Sequence, residues 1–215
     1  MRKAVSWLNN MKIFEEIFRK AEHESMLFLT LDYSFEKTNI EVGGFGSQYL
    51  FGRVTYKEKR PLNKLKESQK LVTLSIEPLR LEVDLSIGYG IDKSKIYSIY
   101  ELYRLECNDP FPNRKYNLYD STEDFEKLKC IFEELTTILK RYGDRFFSSD
   151  TSLWKDLENQ RINEYKDIND SLKSKNATKA FKEKNWEIFI TIIESKKSEL
   201  SELEKKRLQY AKKQI

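Results

Sequence analysis

Two stretches bring together residue types that chemistry could use: the glycines of EVGGFGSQYLFGRV, residues 41–54, and the carboxylates Glu77, Glu82 and Asp84. Closely spaced glycines let backbone N–H groups approach a phosphate. A nucleotide loop of Gly-x-Gly-x-x-Gly form needs a third glycine where this chain has Tyr49. Phosphoryl transfer of that type also needs a catalytic Asp behind His-Arg and a metal-binding Asp-Phe-Gly. Neither tripeptide occurs, and the single histidine, His23, precedes the glycines. A dinucleotide site needs a helix to open directly after the glycines, whereas QYLFGRVTY is rich in strand formers. The glycines therefore predict a hairpin between two strands rather than a phosphate cradle.

Glu82 and Asp84 are two residues apart, which on a strand puts both on one side. Carboxylates so placed could hold magnesium or share a proton; the same pattern is also the ordinary polar face of a half-buried strand. Arg53 and Arg80 could grip a phosphate or an acidic partner, or pair with carboxylates across the sheet. His23, between Glu22 and Glu24, has no second His or Cys at ligand spacing, and reads as a charge favoured near a helix C-terminus. No catalytic residue, metal site or cofactor site is read from this set. Cys107 and Cys130 are too few for a disulfide scaffold and, beside apolar residues, read as small buried thiols.

The elements that must position these groups follow from hydrophobic period. Residues 4–22 place Trp7, Leu8, Met11, Phe14, Ile17, Phe18 and Ala21 three and four apart, an amphipathic helix. From Met26 to Tyr89 the texture changes to MLFLTLDYSF, NIEVGG, QYLFGRVTY, KLVTLSIEPL and RLEVDLSIGYG, short runs that read as strands. In the last of them Leu81, Val83, Leu85 and Ile87 alternate with Glu82, Asp84 and Ser86, which would face water or a partner. The linkers are too short for crossover helices, so the sheet is antiparallel with one covered face. Pro78 marks a bulge or edge, or splits one long strand into two.

Helical spacing returns at Ile96, Ile99, Tyr100 and Tyr103, behind a cap at Asp92 or Ser94. The loop NDPFPNRKYNLYDST has room for one short strand at 115–119. Residues 122–142 carry a narrow apolar seam from Phe125 to Tyr142, stopped by Gly143. Helical spacing resumes from Leu153 to Leu172. Beyond it, Ala177, Ala180 and Phe181 predict a short helix, Trp186 to Ile193 a second, and Ser201-x-x-Glu204 a capping box for a third. The fold class is α+β: an N-terminal helix packed on an antiparallel sheet of about four to six strands, then helices and a C-terminal helical hairpin. The division expected is an α+β domain over 1–145 and a helical extension over 146–215.

With 13 Phe, 12 Tyr and 3 Trp in 215 residues, the chain can fill a substantial core. No apolar run approaches the roughly 20 residues needed to cross a bilayer. The N-terminal MRKAVSWLNN reaches Asn-Asn before a signal-type apolar stretch forms, and a cytoplasmic protein is expected. The net charge of +4 is uneven: residues 173–215 hold 12 Lys+Arg and 6 Asp+Glu, a net +6, leaving 4 − 6 = −2 for the rest. Lysines alternate with glutamates there, as on solvated helices, so nucleic acid is not the favoured partner.

In layout, and from RYGDRFFSSDTSLWKDLENQ to AFKEKNWEIFI, the chain resembles small bacterial proteins encoded near toxin and defence genes, some of them immunity proteins. The segment AxxAFKEKNWEIFITII is similar to part of a tetratricopeptide-type helix pair, over less than one repeat. The first resemblance implies a non-enzymatic immunity or defence protein that covers a protein partner such as a toxin. Many immunity proteins against nucleases are acidic, and this chain is basic. The residues expected to meet a partner are Phe45 and Tyr49 on the hairpin, or Arg80, Glu82 and Asp84 on the sheet. The competing expectations are a carboxylate- and magnesium-dependent enzyme, and nucleic-acid binding by the basic C-terminal helices.

Overall fold

The structure, a computed structural model, describes residues 2–45, 49–59, 69–77, 82–90, 95–107, 125–148, 150–196 and 199–215. The chain is of the α+β class and divides into two compact units, Met1–Leu157 and Glu158–Ile215. The first holds α1 (Arg2–Leu31), five strands, β1 (Phe35–Phe45), β2 (Tyr49–Glu58), β3 (Lys70–Glu77), β4 (Glu82–Tyr89) and β5 (Ile96–Ser98), then α2 (Ile99–Cys107), α3 (Phe125–Tyr142) and α4 (Asp144–Phe147). Helix α5 (Ser152–Lys182) begins in this unit and continues into the second, where α6 (Trp186–Glu194) and α7 (Glu202–Ala211) follow.

The sheet is an antiparallel meander in the order β1-β2-β3-β4-β5. Alternation sends Val54 and Tyr56, Val72, Leu74 and Ile76, and Val83, Leu85 and Ile87 to one buried face. Against that inner face pack Phe14, Phe18, Ala21, Met26 and Leu29 of α1 and Leu128, Phe132, Leu135 and Leu139 of α3, with Ile99 and Leu102 of α2 in the same core. The closest approach is at Gly52. A Cβ there would lie 2.6 Å from the Phe18 ring, which in turn meets Phe132 edge-on with centroids 5.7 Å apart. Glycine in mid-strand is what lets α1 sit this close.

Three expectations about elements are corrected. MLFLTL, read as a strand, is the last part of α1: Ala21, Ser25, Met26 and Leu29 are buried, so the helical period runs on through an apolar run too short to declare its own type. The helix ends before Ser34, whose φ of 57° turns the chain into β1, and His23 consequently lies well inside the helix. The helix expected from Ile96 begins at Ile99, because Ser98 caps it: the Glu101 carboxylate accepts the Ser98 backbone N–H at 2.9 Å. Asp92 and Ser94 lie outside the described residues, as do Pro78 and the strand expected at 115–119. Finally, Ala177, Ala180 and Phe181 do not form a separate helix; they are the closing turns of the 31-residue α5.

Gly143 ends α3 as expected; a Cβ on it would meet the Leu139 carbonyl at 2.2 Å. Arg145 then clasps the turn into α5, donating to Asp150 at 2.9 Å, Ser152 at 2.8 Å, Asp156 at 2.6 Å and Glu106 of α2 at 3.3 Å. Its hydrogen bonds to Asp156 and Asp150 raise its already high pKa further. Both cysteines are free, and Cys130 is exposed on α3 rather than buried.

The second unit has its own small core of Ala177, Ala180, Phe189, Ile193 and Ala211, with the rings of Phe181, Trp186 and Tyr210 packed around it. Asn185 caps α6, and the capping box read at Ser201 and Glu204 is formed in full. Glu204 also pairs with Lys196 at 2.7 Å, and both side chains are largely buried. Burial alone would raise the Glu204 pKa, but hydrogen bonds from Lys196, Ser201 and Ser174 outweigh it and hold the carboxyl down at about 2. This stabilisation is complete above the unfolded value of about 4.3 and is lost as pH falls through about 2. Amide protection in α7, measured relative to the intrinsic exchange rate at each pH, should therefore fall between pH 5 and pH 2, and Glu204→Gln should flatten that dependence. An α7 equally protected across the window in the unmodified chain would contradict the pairing.

Candidate binding surface

The sheet's outer face carries the positions left over by the inner alternation. The glycine-rich stretch is a hairpin: Gly43 pairs with Phe51, Gly44 with Leu50 and Phe45 with Tyr49. Phe45 and Tyr49 are thus the terminal partners of β1 and β2. Glu82 opens β4 opposite Glu77, and Asp84 stands opposite Ser75. Arg80 lies outside the described residues. The β4 pair and the hairpin are therefore on different strand pairs of one sheet, with Arg53 between them in register: Glu41, Arg53, Ser75 and Asp84 form one row across four strands.

A second row crosses all five strands: Asn39, Thr55, Thr73, Ser86 and Ser98. Its side chains are small and polar. The Thr55 and Thr73 hydroxyls lie 3.4 Å apart, and Ser86 donates to the Thr73 carbonyl at 3.4 Å. Thr38, the extra residue where the β1–β2 register shifts, donates to the Thr55 carbonyl at 3.2 Å. Sequence reasoning missed this row because its members fall at irregular separations; only strand register joins them.

Exposure across the face is graded. On the β1–β2 side Glu36, Asn39, Glu41 and Arg53 are exposed, whereas Ser75 and Ser86 are buried and Asp84 is half-buried. Ser86, expected to face water or a partner, is buried within the fold. Asp84 accepts a hydrogen bond from the Ser98 hydroxyl at 2.7 Å, tying β4 to the start of α2. Charges of opposite sign stand across from each other on β1 and β2, Glu36 with Lys57 and Glu41 with Arg53. Such pairs are individually weak, and together they give the exposed side an alternating pattern suited to a polar counter-surface. Among the described residues, no three His, Cys, Asp or Glu side chains gather as a metal site would require.

A different titratable group lies on the inner face. Glu22 of α1 is fully buried. It accepts hydrogen bonds from the Tyr56 hydroxyl and, at 2.7 Å, from the Lys37 ammonium. Burial, and then the hydrogen bond to the Glu22 carboxylate, raise the Tyr56 pKa far above its usual value. The group pins α1 to β1 and β2 and is enclosed by the core, so it reads as a structural tie.

No described helix is long and apolar enough to cross a membrane. No protein-family model, curated protein or solved structure matches the chain.

Proposed function

We propose that this is a non-enzymatic binding protein of immunity or defence type, acting by covering a protein partner with the β1–β2 side of its sheet. The observation that carries the proposal is the grading of the outer face. Its exposed residues, Glu36, Asn39, Glu41 and Arg53, run toward the hairpin that ends in Phe45 and Tyr49. Aromatic and arginine residues supply most of the energy where proteins meet, and paired charges set register and partner choice. The β4 side is the lesser contributor, because Asp84 is half-buried and already bonded within the fold. The immunity or defence assignment rests on the sequence resemblance alone.

The test starts from a tagged chain recovered from its source cells at physiological salt with nuclease present. Any stoichiometric partner is then titrated against variants by calorimetry. A Phe45→Ala, Tyr49→Ala double variant and Arg53→Glu are each expected to weaken binding at least tenfold with an unchanged circular dichroism spectrum, and Asp84→Ala to leave it within about twofold. Equal affinity in all three would remove the hairpin surface. Recovery that depends on nucleic acid would replace the reading with the nucleic-acid one.

A further inference from the structure

The second unit leaves four large apolar residues of α5 in water. Ile162, Tyr165, Ile168 and Leu172 are between 53 and 68% exposed. At about 100° per residue, Tyr165 and Leu172 share one line of the helix, and Ile162 and Ile168 lie about 60° to either side of it. The result is a seam about 15 Å long at about 1.5 Å rise per residue. Most of it faces away from the unit's own core. The buried Ala180, Ala177 and Asp170 lie about 60°, 120° and 140° round the helix from Tyr165, so the core meets only the Ile162 edge of the seam and Tyr165, Ile168 and Leu172 face away from it.

The charges around the seam decide what can cover it. The bases Arg161, Lys166, Lys173 and Lys175 border it, against two acids, Glu164 and, one turn before Ile162, Glu158, while Asp167 and Asp170 lie opposite. Lys173 donates to the Ser195 carbonyl at the end of α6, so Arg161, Lys166 and Lys175 carry most of the seam's basic border. A second copy would bring two basic borders together and be repelled. A membrane surface asks for a broad apolar face, and here Asn169 interrupts the stripe. We propose that this seam is the docking site for an amphipathic helix of a protein partner, one whose apolar face is bordered by acidic residues. The proposal is independent of the sheet surface and survives if that surface fails.

The experiment uses the full chain and two fluorescent, four-turn helical peptides with the same leucine seam, one bordered by glutamates and the other by lysines. Anisotropy titrations should show saturable 1:1 binding of the glutamate peptide, at least tenfold tighter than the lysine peptide and weakened by high salt. Tyr165→Asp and Leu172→Ser, both at exposed positions, should each reduce it at least tenfold with the circular dichroism spectrum unchanged. Equal binding of the two peptides, no binding, or binding insensitive to these variants overturns the proposal. So does a dimer in sedimentation that Leu172→Ser dissolves, which assigns the seam to a second copy. Binding to phosphatidylserine vesicles in preference to the glutamate peptide assigns it to a membrane and overturns it equally.

Discussion

Replacing Phe18 with alanine is expected to lower the unfolding free energy of the first unit by about 4 kcal/mol, the cost of removing a buried aromatic ring whose surroundings relax only in part. Phe18 is fully buried, with Phe14 at 6.0 Å and Phe132 at 5.7 Å between ring centroids. Its floor is Gly52, where an added Cβ would fall inside the ring's contact distance. Gly52→Ala alone should therefore overpack and cost about 1–3 kcal/mol. The two changes together fill part of one hole with the other's methyl group, so the double variant should be more stable than the sum of the singles predicts. Urea unfolding followed through sheet amide resonances gives all three values. Additivity within about 0.5 kcal/mol would show that ring and glycine do not meet.

Removing the donors around Glu22 is the second large effect. Lys37→Met and Tyr56→Phe each leave a fully buried carboxylate short of a partner, and the pair together should cost about 3 kcal/mol or more. Adding Glu22→Leu removes the stranded charge and should restore much of the loss, since an apolar residue of similar size tolerates burial where an unpaired carboxylate does not. If Glu22→Leu by itself costs more than the loss of both donors, the carboxylate is stabilising beyond its partners and the argument fails. The tie has a pH signature as well. Tyr56 has a raised pKa in the fold, so its contribution is complete below the unfolded value of about 10 and is lost as pH rises above it. Phenolate absorbance from Tyr56 should accordingly appear only with unfolding.

Elements that declare themselves by their own period were legible in the residues. The seam of Leu128, Phe132, Leu135 and Leu139 gave α3, the alternation of Val83, Leu85 and Ile87 gave β4, and Ser201 with Glu204 gave the start of α7. Misreadings arose where tertiary packing decided. Met26–Leu31 suits a strand by composition, yet Met26 and Leu29 complete the stripe that α1 lays on the sheet. The cap at Ser98 and Glu101 stands in the sequence as Ser-x-x-Glu, close enough to Asp92 and Ser94 that spacing alone does not choose among them. Of the candidate surface, the hairpin was readable from its glycines. The rows through Arg53 and Thr55 were not, because they are made by register among five strands and no spacing along the chain encodes them.

The meander has a consequence for how the chain comes into being. Each described strand bonds to its neighbours in sequence, so loop closures stay short and each hairpin can add to the last without waiting for a distant segment. During synthesis from the N-terminus, β1 to β4 can complete their ladders before the residues of α3 have left the ribosome. For that interval the oily side of the sheet lacks α3, with α1 and at most the short α2 to shield it, and Val72, Leu74, Val83 and Leu85 are open to wrong company. A nascent chain halted at about residue 130, with β4 clear of the ribosome and α3 still inside it, should be the form most dependent on chaperones.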